Sequence, residues 1–254
     1  MGIQWETLYQ LRGELFLASP SVLLMRTKFE NLRKKAFSLD PIIREEVAES
    51  LGTINKKASV LLLEQLLSDS NYNVRCEAIC SLKEISPIQS VHKVAQCLED
   101  EDELVRINAA EYLGNSGSKS MTKLLLEKLN DTSELVRSYA ATALGQIGQK
   151  ETIPKIRKRL SKEKSELAKV GLLEALYLLG IGSSMNVLIS LLGSRNYQVR
   201  CSVVNTLCSH ITPKNLRRIR IALVSTLRKE KATAVKSTIQ SRLKEVDSQH
   251  NETL

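Results

Sequence analysis

The sequence returns to itself. Leu104-Val-Arg-Ile-Asn-Ala-Ala-Glu-Tyr-Leu-Gly114 comes back as Leu135-Val-Arg-Ser-Tyr-Ala-Ala-Thr-Ala-Leu-Gly145, which sets Arg106 and Arg137 31 residues apart. The same step backwards reaches Arg75 and then Arg44. Forwards it meets Lys169 after 32 residues and Arg200 after another 31. A period of this size over most of a chain excludes a globule with one closed core, because each unit buries its apolar face against its neighbours.

Each unit reads as two helices. Around Arg137, a first helix carries Leu124, Leu125 and Leu129, a turn follows at Asn130-Asp131-Thr132-Ser133, and a second helix carries Val136, Ala140, Ala141, Leu144 and Ile147. Those spacings put the five apolar residues on one helix face. Gly145 and Gly148 read as the helix end, since Gly accepts the left-handed conformation found there. Three residues after the basic position stand Val47, Ala78, Ala109, Ala140, Leu172 and Val203; seven after it stand Leu51, Leu82, Leu113, Leu144, Leu176 and Leu207. No segment alternates with period two, so the expected fold is all-α, an α-α superhelix of about six to seven two-helix repeats.

The expected organisation is one array over residues 1–246 with a frayed tail at 247–254. Residues 1–20 read as an N-terminal capping helix, 21–212 as the repeats, and 213–246 as a basic C-terminal cap that lacks a good match to the repeat. Asp40-Pro41 reads as a helix start, with Asp as the cap and Pro in the first turn. Aromatic residues make up only 4% of the chain, so the core is built mainly from Leu, Ile, Val and Ala. The start lacks a secretory signal, and the apolar stretch from Leu8 to Leu24 is broken by Arg12, Glu14 and Pro20, so no transmembrane segment is expected. Five scattered cysteines fit a reducing compartment, and the cytoplasm is the expected location.

The pattern Asp-x-x-x-x-Val-Arg-x-x-Ala-Ala-x-x-Leu-Gly-x-x-Gly resembles the HEAT-like repeat of phycobilin lyase subunits and of bacterial HEAT-repeat scaffolds. Asp69, Asp100 and Asp131 each stand six residues before Arg75, Arg106 and Arg137. The resemblance implies that these six residues form a structural ladder, linking successive turns by hydrogen bonds. Lys169 and Arg200 match only its basic member. Their acidic slot holds Glu163 or Ser194, so the ladder is expected to weaken there. Deoxyhypusine hydroxylases also use this repeat, but they need His-Glu pairs. None of His92, His210 and His250 is followed by Glu.

No catalytic, cofactor-binding or metal-binding constellation emerges. Cys76 and Cys80 lie one turn apart and Cys208 lies near His210, but a zinc site needs about four converging ligands. The surface is more informative. In arrays resembling this one the second helices line the concave side, with outward positions two, five and nine after the basic slot. None of the eighteen residues at those positions is Lys or Arg. A neutral to acidic groove is therefore expected, with Glu77, Glu111, Tyr112, Tyr139, Glu174 and Tyr177 as partner-binding residues. Eight of the nine net positive charges fall in residues 214–245, where Arg217, Arg218, Arg220, Arg228 and Lys229 are candidate anion binders. The leading reading is a non-enzymatic scaffold holding a protein or peptide in its groove, without a cofactor. Nucleic-acid or anionic-surface binding through the basic cap is the alternative, and a lyase-like or chaperone-like subunit the weaker one.

Overall fold

A computed structural model describes residues 20–54, 57–85 and 88–251. Among the described residues there is no strand, and fourteen α-helices pair off as seven two-helix units. The units are α1 (Pro20–Lys35) with α2 (Pro41–Gly52), α3 (Lys57–Leu66) with α4 (Tyr72–Ile85), and α5 (Val91–Gln96) with α6 (Glu103–Ser116). Then come α7 (Thr122–Lys128) with α8 (Glu134–Ile147) and α9 (Ile153–Lys162) with α10 (Glu166–Leu178). The last two are α11 (Ser184–Ser190) with α12 (Tyr197–Ser209) and α13 (Leu216–Lys229) with α14 (Thr233–Asn251). Of the capping helix expected over residues 1–20, residues 1–19 lie outside the described residues, and Pro20 opens α1. The backbone of α14 is helical through Asn251, so Asp247–Asn251 are its last residues.

Contacts divide the chain into residues 1–93 and 94–254. In the first part α2 packs along α4, and Val47, Ala48, Leu51, Val74, Ala78 and Leu82 are buried. Asp40 accepts a hydrogen bond from Ile42 N at 2.9 Å and caps α2, with Pro41 in its first turn. That is the start signal read in the sequence, and its physical cause is the set of amides at a helix N-terminus that lack intrahelical partners.

In the second part the second helices pack side by side: α6 on α8, α8 on α10, α10 on α12 and α12 on α14. Asp102, Ser133, Ser165 and Asn196 cap the four second helices α6, α8, α10 and α12 through their side chains. The rows three and seven after the basic slot are buried in every unit, from Ala109 and Leu113 to Val203 and Leu207. One cluster, which includes Val170, Leu188, Val203, Ile219 and Ile239, carries the core through into α13 and α14.

Residues 213–246 are more than a cap. They fold as a seventh pair, with Lys236 in the basic slot and Glu230 six residues before it, after a step lengthened to 36 residues. The longer step hid the register. Ile239, three after the slot, is fully buried.

Gly145 departs from its reading as a helix end. It is buried inside α8, and a Cβ there would lie 2.7 Å from the Ala175 Cα. Gly148, at φ +79°, makes the turn out of the helix. Gly145 is therefore there for close approach of α8 to α10. Helix propensity alone predicts that Gly145→Ala stabilises by about 1 kcal/mol; overpacking against α10 predicts a loss of about 1–3 kcal/mol. Urea unfolding should show the loss, and a gain would mean that α10 yields at no cost.

Candidate functional site

Two sets of polar residues are organised by this packing: a ladder in the turns and a face on the second helices. In the ladder four arginines, Arg44, Arg106, Arg137 and Arg200, work with both edges of the guanidinium. Arg106 donates through Nη1 to the carbonyls of Asp100 (2.8 Å) and Glu101 (3.0 Å), both in its own turn. Its Nε and Nη2 donate to the two carboxylate oxygens of Asp131 in the next turn, each at 3.1 Å. Arg44 does the same with Ser38, Leu39 and Asp69. Arg137 does so with Asp131, Thr132 and Glu163, and Arg200 with Ser194, Arg195 and Glu230. Arg75 donates to the carbonyls of Asp69 and Ser70. The Asp100 carboxylate accepts from Asp102 N.

The expected weakening at Glu163 is not what the structure has. Glu163 is buried, takes Arg137 and Arg159, and accepts from the amides of Lys164 and Ser165. Burial by itself would raise its carboxyl. The bonds from Arg137 and Ser165 N and the charges of Arg137 and Arg159 outweigh burial and hold it at about 2. Glu230 is likewise held at about 2, chiefly by Arg200 and then, against its burial, by the amides of Ala232 and Lys231. At Ser194 the slot does lack a carboxylate, and its hydroxyl donates to Glu166 instead.

The second-helix face of residues 94–254 forms a cleft of about 350 Å3. Glu111, Tyr139, Thr142, Gln146, Glu174 and Asn205 are among its lining residues. All six stand at outward positions of the repeat, on four successive second helices. The face is thus collected into one concavity. Tyr139 is 40% exposed at its middle.

Not every expected groove residue is there. Tyr112 is fully buried: it stands six after the basic slot, a position that points between the packed helices. Tyr177 is half-buried against the core. Its hydroxyl accepts from Asn215 Nδ2 at 3.2 Å and its ring lies 5.8 Å from that of His210. Glu174 lines the cleft, but both its oxygens are engaged, by Thr142 Oγ1 and by His210 Nε2, each at 2.7 Å. That bridge joins α8, α10 and the end of α12. Sequence reasoning missed it because His210 stands just past its helix, outside the repeat pattern. Arg242 of α14 also reaches the face, donating to Asn205 Oδ1 at 3.0 Å.

In residues 1–93 the corresponding face is acidic. Glu77 is half-buried on α4. Its carboxyl is raised above its ordinary value by burial and then by the charges of Glu49, Glu45 and Glu84, against a hydrogen bond from Ser81. The basic candidates Arg217, Arg218, Arg220, Arg228 and Lys229 are all exposed on α13. Among the described residues no three of His, Cys, Asp and Glu stand close enough to hold a metal ion. Burial pushes the Cys208 thiol up to about 11, which keeps it protonated.

Helix pairs stacked through their second helices, and tied by a guanidinium ladder, define an α-helical repeat protein of the solenoid class. The chain belongs to the HEAT-repeat family: the HEAT repeats profile matches residues 29–98 and 91–177. Among solved structures it is similar to the complex of CpcE and CpcF of phycocyanin lyase from Nostoc sp. PCC7120. The TM-score is 0.62 and the identity 18%, over 90% of this chain and 95% of that one. A designed armadillo repeat protein aligns over 85% of this chain and 98% of its own length, at 17% identity and a TM-score of 0.39. A search of curated proteins finds no match. No described helix is long and apolar enough to cross a membrane.

Two titrations test the electrostatics. Glu163 and Glu230 have lowered folded pKa values, so the stability they add is present above the ordinary value of 4.5 and is lost as pH falls towards about 2. Glu163→Gln should flatten the acid limb of a stability–pH curve in that window; an unchanged limb would refute the pairing. Glu77 has the opposite sign: its ionisation opposes folding. Glu77→Gln should stabilise the chain at pH 7, with the gain vanishing as pH falls below the ordinary carboxylate value in the same denaturation series.

Proposed function

We propose that the chain is a non-enzymatic scaffold that holds a segment of a protein partner against the second-helix face of residues 94–254. The observation that carries the reading is the cleft around Tyr139, drawn from four successive helices and lined by hydroxyls, amides and two carboxylates. An exposed tyrosine supplies contact area at low entropic cost, and the carboxylates give orientation. Such a surface suits an extended segment that presents a Lys or Arg towards Glu111 and an apolar anchor to Tyr139. Glu174 serves chiefly to hold the wall in shape through Thr142 and His210. The structural neighbour from Nostoc is itself a complex of two proteins, which accords with a partner-holding role for this fold.

The nucleic-acid reading is weaker on this face, since a cradle for phosphates needs cations along it. Arg242 at Asn205 adds a cation only beside the end of the cleft.

Photo-crosslinking decides the matter. A benzophenone side chain in place of Tyr139 should capture a protein in the native cell, and one in place of Lys158 on α9 should not. Glu111→Lys with Tyr139→Ala should lower retention of the captured protein at least ~10-fold while circular dichroism stays unchanged. Full retention by a folded double variant would end the groove reading; a gain of RNA or DNA binding by Glu111→Lys without any captured protein would favour the alternative.

A further inference from the structure

The last helix pair presents α13, whose Ile219 and Leu223 are buried in the core. The opposite side of an amphipathic helix is expected to be polar where it meets water. Here a cleft of about 900 Å3 runs along it instead. Leu216, Ile221, Val224 and Val246 line it together with Arg217, Arg220 and Arg228. Ile221 is 61% exposed. Arg217, Ile221, Val224 and Arg228 follow one another at spacings of three and four, so they form one stripe on the helix. Between Lys214 and Lys231 there are seven basic residues and one acid, Glu230, which Arg200 already holds.

We propose that this cleft docks an acidic amphipathic helix of a partner protein, with an apolar side chain on its apolar lining and carboxylates on Arg217 and Arg228. Three features select that occupant. The surface is concave, which fits a projecting side chain; a bilayer asks for a row of protruding apolar groups, and on α13 only Ile221 stands far out. Among the described residues no aromatic side chain lines the cleft, so unstacked bases find no platform there. The flanking charges are arginines, whose forks donate two parallel hydrogen bonds to a carboxylate. Eleven residues separate Arg217 and Arg228, about three turns or 16 Å, the distance at which a partner helix repeats its own acids. The site lies on a first helix, and its proposal stands apart from the cleft around Tyr139.

Fluorescence anisotropy on the full chain tests it with a labelled alanine-rich helical peptide carrying leucines on one face and glutamates three turns apart. Saturable binding that weakens with salt is expected, with a loss of at least ~10-fold on Arg217→Glu plus Arg228→Glu and a similar loss on Ile221→Ser. Circular dichroism should be unchanged, since all three residues are exposed. Replacing the leucines of the peptide by serine should also abolish binding. Binding insensitive to Ile221→Ser means mere charge attraction and overturns the proposal. So does absence of peptide binding, whether or not phosphatidylserine vesicles or a short RNA duplex bind in its place.

Discussion

The chain depends on what one guanidinium does in each turn. A turn between two helices leaves carbonyls without intrahelical partners, and a stack of units needs a bond from each layer to the next. Arginine meets both needs: Nη1 takes two carbonyls of its own turn, while Nε and Nη2 take a carboxylate one layer on. Lysine has no fork, and after Lys169 the next turn relies on the Ser194 hydroxyl and Glu166. Because the arginine fixes where its turn ends, it sets where the second helix begins. The rows of small and leucine side chains three and seven residues later then fall between layers in every unit.

Much of this was written in the sequence, and the exceptions share a cause. Periodicity located the buried rows and the cap at Asp40, since both follow from spacing along one helix. It failed wherever the answer depended on a neighbour. Gly145 looked like a helix end, but the backbone of α10 passing beside it is what calls for glycine. Tyr112 looked accessible because tyrosine often is; its position turns it inward. Glu174 does face outward, yet Thr142 and His210 claim its oxygens. Glu230 and Lys236 keep the register of the ladder, but a step of 36 residues hides them from a search for 31.

Charge is sorted by helix type. The outward positions of the second helices from α2 to α12 hold acids and neutral polar groups, from Glu49 and Glu77 in residues 1–93 to Glu111 and Glu174 in residues 94–254, while α14 adds Arg242. The first helices α9 and α13 carry the cations: Lys155, Lys158 and Lys162 on one, Arg217, Arg218 and Arg228 on the other. The charge on α9 and α13 is thus opposite in sign to that of the cleft around Tyr139.

The ladder also has slack. Its carboxylate lies 25 residues from the arginine at Asp69 and Asp131, 26 at Glu163 and 30 at Glu230. The surplus is taken up ahead of the acid, where α13 has 14 residues and α7 only seven. The longer first helix leaves the Arg200–Glu230 pair formed and α12 packed on α14. The extra residues are taken up on the basic helix α13, downstream of the four second helices that line the cleft around Tyr139.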